Sequence, residues 1–170
     1  SELSSSDFIH TSIKKTKFKN TNIGGKIWFS SAYLEDVDFC NLGYFIEVLY
    51  FNNSNLNNVI FRSIYSDFDF YRVDFEEEKL KKVKFKKVTL SVADFRKAFL
   101  KDVDFSHISL GGANFRHTDL RDINFTGAYL AYADFNKAKL NKACFDNANL
   151  SQVSLRHATL KEISFENTYL

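Results

Sequence analysis

The chain has 170 residues, of which 45% are hydrophobic and 26% are charged, and its formal net charge is +2. This length and composition are typical of one soluble domain, and so mild a charge argues against nucleic acid or an acidic membrane as a general partner. There are 19 Phe residues but neither Met nor Pro. Because Met usually fills irregular gaps, this composition favours a core of regular, repeated slots.

The two cysteines, Cys40 and Cys144, are far apart and form no CxxC or Cys/His cluster. We therefore expect free thiols in a reducing cytoplasm, with neither a disulfide scaffold nor a zinc site. No apolar run approaches the ~20 residues that cross a bilayer, and the first residues lack the basic head and apolar stretch of a signal peptide. The predicted location is the cytoplasm, and no membrane partner is expected.

A hydrophobic residue recurs every five positions in the N-terminal part of the chain, but in more than one frame. The first series is Phe8, Ile13, Phe18 and Ile23, and a small residue lies two positions before each, namely Ser6, Thr11, Thr16 and Thr21. The frame slips near residues 24–33, near 40–50 and near 62–69. We predict a bulge or small loop at each slip, and a tolerated insertion is a simpler interpretation than a functional loop.

From Phe70 to Leu170 the repeat is regular, since every fifth residue is Phe or Leu. The position two before each is mostly Ala, Val, Ile or Thr, and the residue between is mostly polar. A period of five matches neither a helix nor a continuous strand. It does match a chain that turns a corner every five residues, with one large and one small residue inward on each side and polar residues at the corners.

The alternation of Phe with Leu gives a second period of ten, which predicts four sides and a coil of 20 residues. One side then carries Phe75, Phe95, Phe115 and Phe135, and the opposite side carries Phe85, Phe105, Phe125, Phe145 and Phe165. The other two sides carry Leu80, Leu100, Leu120, Leu140 and Leu160, and Leu90, Leu110, Leu130, Leu150 and Leu170. Three-sided coils would mix Phe with Leu in every stack, so four sides are favoured. Leu155 breaks this scheme on the first Phe side.

Several segments follow a single five-residue motif. They are Ala93-Asp94-Phe95-Arg96-Lys97, Ala113-Asn114-Phe115-Arg116-His117, Ala133-Asp134-Phe135-Asn136-Lys137 and Ala148-Asn149-Leu150-Ser151-Gln152. This pattern resembles the pentapeptide-repeat family, whose motif is A-(D/N)-L-X-X with Phe allowed at the Leu position. The resemblance implies an all-β fold, a right-handed quadrilateral parallel β-helix that forms one solenoid over residues 1–170 with about eight 20-residue coils.

Two features depart from a closed, regular solenoid. Glu78 falls in an inward small slot, where an unpaired carboxylate costs several kcal/mol to bury, so we expect a local distortion that exposes it. Leu170 is an inward residue with nothing after it to cover the last coil, although solenoids normally need polar caps. The sequence is then either a fragment of a longer protein or a module whose open end stacks on another copy as an end-to-end homodimer.

The sequence contains no glycine-rich phosphate loop, no H-E-x-x-H and no G-x-S-x-G motif. Among the four histidines, His117 and His157 fall in one outward column but two coils apart, about 10 Å from each other, which is too far to share a metal ion. A filled solenoid with flat sides also offers no deep cleft. We therefore predict a protein that is not an enzyme and that uses no metal ion or cofactor.

The outward residues, sorted by side, form two candidate surfaces. The candidate basic columns are Arg96, Arg116 and Arg156 on the first Phe side, and Lys81, Lys101 and Arg121 on the Leu side that follows. The last Leu side carries no charge, and its candidate partner face is Tyr129, Tyr132, Gly111, Gly112 and Tyr169, with Val92 and Gln152 at the corner. Uncharged strips with exposed Tyr are enriched at protein interfaces, although small residues also suit a flat β-face.

These features favour a non-enzymatic scaffold that binds a protein partner. The family resemblance implies two more specific alternatives. One is a module of a bacterial effector protein, which would be secreted into host cells. The other is a DNA mimic that binds DNA gyrase or topoisomerase and protects it from quinolones. Such relatives present a strongly acidic surface and a C-terminal helical extension, and this sequence shows neither. Nucleic-acid binding is a weaker third alternative, because the only dense run of cations is Lys79 to Lys87.

Overall fold

The computed structural model describes residues 2–20, 22–40, 46–62 and 73–170. These residues are all-β, and their strands are short because each side of a coil is only about five residues long. The strands are β1 (Glu2–Ser4), β2 (Ser12–Lys14), β3 (Lys17–Lys19), β4 (Asn22–Trp28), β5 (Tyr33–Glu35), β6 (Asp38–Cys40), β7 (Ile46–Tyr50), β8 (Asn55–Asn57), β9 (Ile60–Arg62), β10 (Lys79–Lys81), β11 (Lys84–Lys86) and β12 (Phe99–Lys101). The described residues include no helix of the length and apolar character that crossing a membrane requires.

The strands pair in parallel with strands one full coil away rather than with their neighbours in sequence. The three sheets have the orders β1-β4-β7, β12-β10-β8-β5-β2 and β11-β9-β6-β3. Farther along the chain the ladders continue as single-residue bridges, and four series of them pass through Asp94, Phe99, Asp104 and Ser109, five residues apart. Four sides in each coil confirm the predicted all-β, quadrilateral parallel β-helix.

The number of coils differs from the eight that the repeat predicts. Strands of three or more residues stack only three, five and four deep in the three sheets. In the C-terminal half, residues such as Asn114 and Asn124 belong to isolated bridges, because one residue of each side pairs with the adjacent coils before the chain turns the next corner. Regular β-strand therefore occupies fewer turns than the repeat count implies.

The corners are made by residues in the left-handed backbone region. Residues with positive φ recur every five positions from Glu77 to Asn167. Asn and Asp tolerate this conformation, and Gly112 and Gly127 adopt it at φ values of 67° and 64° without a steric cost. The predicted turn every five residues is confirmed.

Two columns of stacked Phe rings fill the core. The first runs through Phe8, Phe29, Phe51, Phe75, Phe95, Phe115 and Phe135, with successive ring centroids 4.9–5.4 Å apart. The second runs through Phe18, Phe39, Phe61, Phe85, Phe105, Phe125, Phe145 and Phe165 at 5.0–5.7 Å. The columns meet edge to face, as Phe115 meets Phe125 at 80°. The predicted separation of the Phe residues into two stacks is confirmed.

The first coils are longer than 20 residues. Ser12 pairs with Tyr33, 21 residues on, Tyr33 pairs with Asn55, 22 on, and Asn55 pairs with Lys79, 24 on. Lys79 then pairs with Phe99 after 20. One extra residue is taken up in β7 where it pairs with β4, since Gly25 pairs with Ile46 whereas Lys26 pairs with Val48. Residues 41–45 and 63–72, on which much of the second and third predicted slips falls, lie outside the described residues.

Candidate interaction surfaces

The uncharged strip follows a series of bridges that pairs Ser109 with Tyr129 and Tyr129 with Asn149. Tyr129 is 47% exposed, and its ring leans over Gly111 on the coil before, where an added Cβ would lie 3.1 Å from Tyr129 Cε1. Ala131, which the repeat places outward, is buried. This side is therefore a shallow surface with one tyrosine packed down onto it, rather than a row of free side chains.

The other predicted members of the strip lie at its corner and at its end. Tyr132 is exposed at the corner, and its hydroxyl oxygen accepts a hydrogen bond from Gln152 Nε2 at 3.3 Å. Tyr169 lies two coils beyond Tyr129 and is exposed on the last coil. The structure thus brings Tyr129 and Tyr132 together with Gly111 and Gly112, and places Tyr169 apart from them.

Val92, at the same corner as Tyr132, combines exposure with backbone strain. Its φ is 58°, in the left-handed region that a β-branched side chain adopts only at a cost. Its side chain is 43% exposed, so little burial compensates for that cost. Strained residues of this kind occur preferentially where a protein functions, which makes the corner of the strip a candidate site.

The first Phe side carries a compact network of one cation and several acids. Carboxylate oxygens of Asp74, Glu76 and Asp94 lie within 4.8 Å of one another. Arg96 donates to this group, from Nη2 to Glu76 Oε2 at 2.7 Å and from Nε to Asp94 Oδ2 at 2.8 Å. The guanidinium group therefore supplies the positive charge that a metal ion would bring, and the group is an ion-pair network.

Two more of the predicted basic residues are also paired. Arg116 lies 3.4 Å from Asp134, and Arg121 lies 2.7 Å from Asp119. The remaining three, Lys81, Lys101 and Arg156, are exposed and make no ion pair within the part of the chain that the structure describes. The predicted arginine column is thus largely neutralised by acids on its own side, whereas the lysines of the Leu side are available.

Phe99 was not among the residues predicted from the sequence to be functional. It stands at the middle, outward position of its five-residue unit, beside Lys101 on β12, and its side chain is 63% exposed. The signal for it was present, because the middle position is usually Asp, Asn, Lys or Ser and a Phe there points away from the core.

Glu78 is buried, so the prediction of a local distortion that exposes it is wrong. The residue is 0% exposed, and its Oε2 accepts a hydrogen bond from Ser54 Oγ at 2.8 Å. Burial raises the pKa of Glu78 to about 8, although hydrogen bonds from Ser54 and Asn53 act in the opposite direction. Its Oε1 has no partner within the described residues. The 24-residue spacing of Asn55 and its register partner Lys79 places Ser54 opposite this carboxyl group.

The histidines and cysteines are dispersed. All four histidines, His10, His107, His117 and His157, are exposed residues with positive φ at corners. Cys40 is buried, and Cys144 Sγ lies 3.3 Å from Thr126 Oγ1 as a free thiol. Within the described ranges, no histidine side chain makes an ion pair or a hydrogen bond that would orient it as a base.

Residues 59–135 match the family model described as "Pentapeptide repeat region". A comparison with curated protein sequences gives no match. Among solved structures, the chain is similar to full-length QnrB1, a plasmid-mediated fluoroquinolone resistance protein, at 14% identity over 98% of this chain and 94% of that one, with a TM-score of 0.53.

A second solved structure is that of HetL, a pentapeptide repeat protein involved in heterocyst differentiation regulation from the cyanobacterium Nostoc sp. It is 21% identical over 99% of this chain and 86% of that chain, with a TM-score of 0.38. The similarity to QnrB1, at 14% identity, indicates a shared fold and nothing finer. The resemblance that the five-residue motif predicted is confirmed.

Proposed function

Because this chain is a pentapeptide-repeat solenoid, we propose that it is a non-enzymatic scaffold that binds another protein through the uncharged strip. The observation that carries the proposal is the exposure of Tyr129, Tyr132 and Val92 on one uncharged side of a rigid coil stack. Tyr combines a large apolar surface with a hydroxyl group, and it is enriched where proteins bind one another. Val92 adds exposed apolar area at a corner where its backbone is strained.

The charged first Phe side is less suited than the uncharged strip to binding a partner. On the first Phe side, Arg96 and Arg116 are engaged with acids of the same side. Such exposed, internally paired charges contribute little to recognition of a partner. The strip has no such charges to desolvate, so its burial against a complementary protein surface costs less.

The test is to replace Tyr129 and Tyr132 together with Glu and to compare capture of partners from a lysate of the source cells. We expect proteins that the wild type retains to be lost from Tyr129→Glu/Tyr132→Glu, because two carboxylates would be buried unpaired in the interface. The matched control is His117→Glu/His157→Glu, which adds the same charge at another corner. Circular dichroism should show all three proteins folded.

Retention of the same partners by the strip variant would contradict the proposal, as would equal loss in the histidine control.

A role as a module of a bacterial effector rests on the family resemblance alone, and no described residue adds to it.

The DNA-mimic alternative is not favoured by any observed surface. Several acids that such a surface would need are held by arginines, namely Asp94 and Glu76 by Arg96 and Asp119 by Arg121. The formal net charge of +2 also has the wrong sign for a mimic of a polyanion. A titration of this protein into a DNA gyrase supercoiling assay, with and without a quinolone, tests the alternative directly. We expect no effect on the enzyme, and protection or inhibition at stoichiometric concentration would reinstate the mimic.

A further inference from the structure

We propose that a second surface, formed by Lys79, Lys81, Phe99 and Lys101 and here called the lysine–phenylalanine surface, binds single-stranded nucleic acid with one base stacked on Phe99. This surface lies on the Leu side of the coil and not on the uncharged strip. The proposal is therefore independent of the protein-binding function proposed above.

Phe99 is held as an outward platform by its backbone. Its N–H donates to the carbonyl oxygen of Glu78 on the coil before, at 2.7 Å, and the residue forms a bridge to Asp119 on the coil after. The side chain is 63% exposed, and no ring pair among the described residues includes it. A ring fixed at its base and uncovered by its own chain is available to stack on a planar group.

Three unpaired cations surround this ring. Lys79 is the direct register partner of Phe99, and Lys81 is that of Lys101, two residue pairs further along the same two strands. Paired strands lie about 4.8 Å apart, and alternate residues on a strand lie about 6.6 Å apart. The ammonium groups of Lys79, Lys81 and Lys101 are therefore all close enough to bind phosphates on either side of a base stacked on the ring. Within the described ranges their side chains make no ion pair or hydrogen bond.

The acid to which Phe99 bridges on the coil after is already neutralised. Asp119 accepts hydrogen bonds from Arg121, from Nε to Oδ1 at 2.8 Å and from Nη2 to Oδ2 at 2.7 Å. The charge that remains next to Phe99 is therefore positive. The overall net charge does not reveal this local concentration of positive charge. For that reason, nucleic acid was not expected as a partner from the net charge.

The chemistry of the surface fits a single strand better than a protein or a duplex. Lys is depleted in protein interfaces, whereas cations around an exposed aromatic ring are how proteins bind single strands without sequence preference. The cations continue along the same coil as Lys82, Lys84, Lys86 and Lys87, while Asp102 and Asp104 follow on the next coil and Glu76 and Glu77 precede on the adjoining side. The surface is two coils wide, with Lys79 and Lys81 on one coil and Phe99 and Lys101 on the next. A band this narrow suits one strand, and the paired bases of a duplex would leave Phe99 nothing to stack on.

The experiment is fluorescence anisotropy with labelled dT12 and rU12 at several salt concentrations. We expect Phe99→Ala to weaken binding about 10-fold with an unchanged salt slope, and Phe99→Trp to restore it, because stacking depends on an aromatic face and not on charge. We expect Lys79→Gln/Lys81→Gln/Lys101→Gln to flatten the slope of log K against log salt by about 2, since each phosphate contact to a single strand contributes about 0.7.

The matched control, Lys137→Gln/Lys139→Gln/Lys142→Gln, removes the same charge from coils nearer the C-terminus and should leave the slope almost unchanged. Comparison of dT12 with rU12 shows whether DNA or RNA is preferred, and either supports the proposal.

Three results would overturn it: no binding by the wild type in low salt, equal binding of dT12 and an abasic oligomer of the same length, or full competition by poly-Glu. The last two would indicate a site for polyanions in general or for an acidic protein segment. Phe99 lies outside the core, so circular dichroism of the Phe99 variants should match that of the wild type.

Discussion

Replacement of Glu78 by Gln should remove a pH-dependent loss of stability from this solenoid. Glu78 is fully buried in a slot that holds Ala98 and Thr118 on the next two coils, and among the described residues Ser54 Oγ donates a hydrogen bond to its carboxylate at 2.8 Å. Gln is nearly the same size and can still accept the hydrogen bond from Ser54. The substitution therefore changes the ionisation of the site much more than its packing.

The magnitude follows from the raised pKa. In the unfolded chain the carboxyl group titrates at its ordinary pKa of 4.5, whereas in the folded protein its pKa is about 8. Between these values the folded state keeps a proton that the unfolded state has lost, so stability is fully present below pH 4.5 and is lost as the pH rises towards 8. The slope is about 1.4 kcal/mol per pH unit at most, which amounts to about 3 to 4 kcal/mol between pH 5 and pH 8.

The assay is urea unfolding followed by circular dichroism at pH 5, 6, 7 and 8. Glu78→Gln should be nearly flat over this range, and it should exceed the wild type in free energy of unfolding by about 3 kcal/mol at pH 8. The matched control is Glu77→Gln. Glu77 is an exposed neighbour whose pKa is lowered by the Lys97 ammonium group 2.6 Å away, so its loss should leave the wild-type slope in place.

The other ionisable groups are common to the wild type and Glu78→Gln, so their contributions cancel in the comparison. Parallel pH profiles for the wild type and Glu78→Gln would refute the reasoning, because they would mean that the carboxyl group has the same pKa in both states.

Two further substitutions test the coil itself by thermal unfolding. Val92→Asn should raise the free energy of unfolding by about 1 kcal/mol, since Asn tolerates the φ of 58° at which Val is strained; an unchanged or lower midpoint would contradict the assignment of strain. Phe115→Ala should cost about 3 to 5 kcal/mol, because this ring is stacked at 4.9 Å on both Phe95 and Phe135. The control for it, Phe165→Ala, removes a ring that is 40% exposed and should cost much less; equal losses would mean that the stack is not continuous.

The spacing of residues in the sequence predicts a large part of this protein. A period of five assigns each side chain a direction, because the backbone turns at every fifth residue whatever the outward side chains are. The four sides, the two Phe columns and the lack of charge beside Tyr129 all follow from that local rule. Phe99 was equally predictable, since its outward position alone implies exposure.

Contacts between coils were decided only by the tertiary structure. The pairing of Glu78 with Ser54 spans 24 residues, and it depends on the extra length of one coil, which the repeat does not specify. The engagement of Arg96 with Glu76 and the packing of Tyr129 over Gly111 likewise join residues on successive coils. These contacts form because a long side chain can reach across the ~4.8 Å between paired strands. Which side chains meet depends on which residues the register places opposite one another.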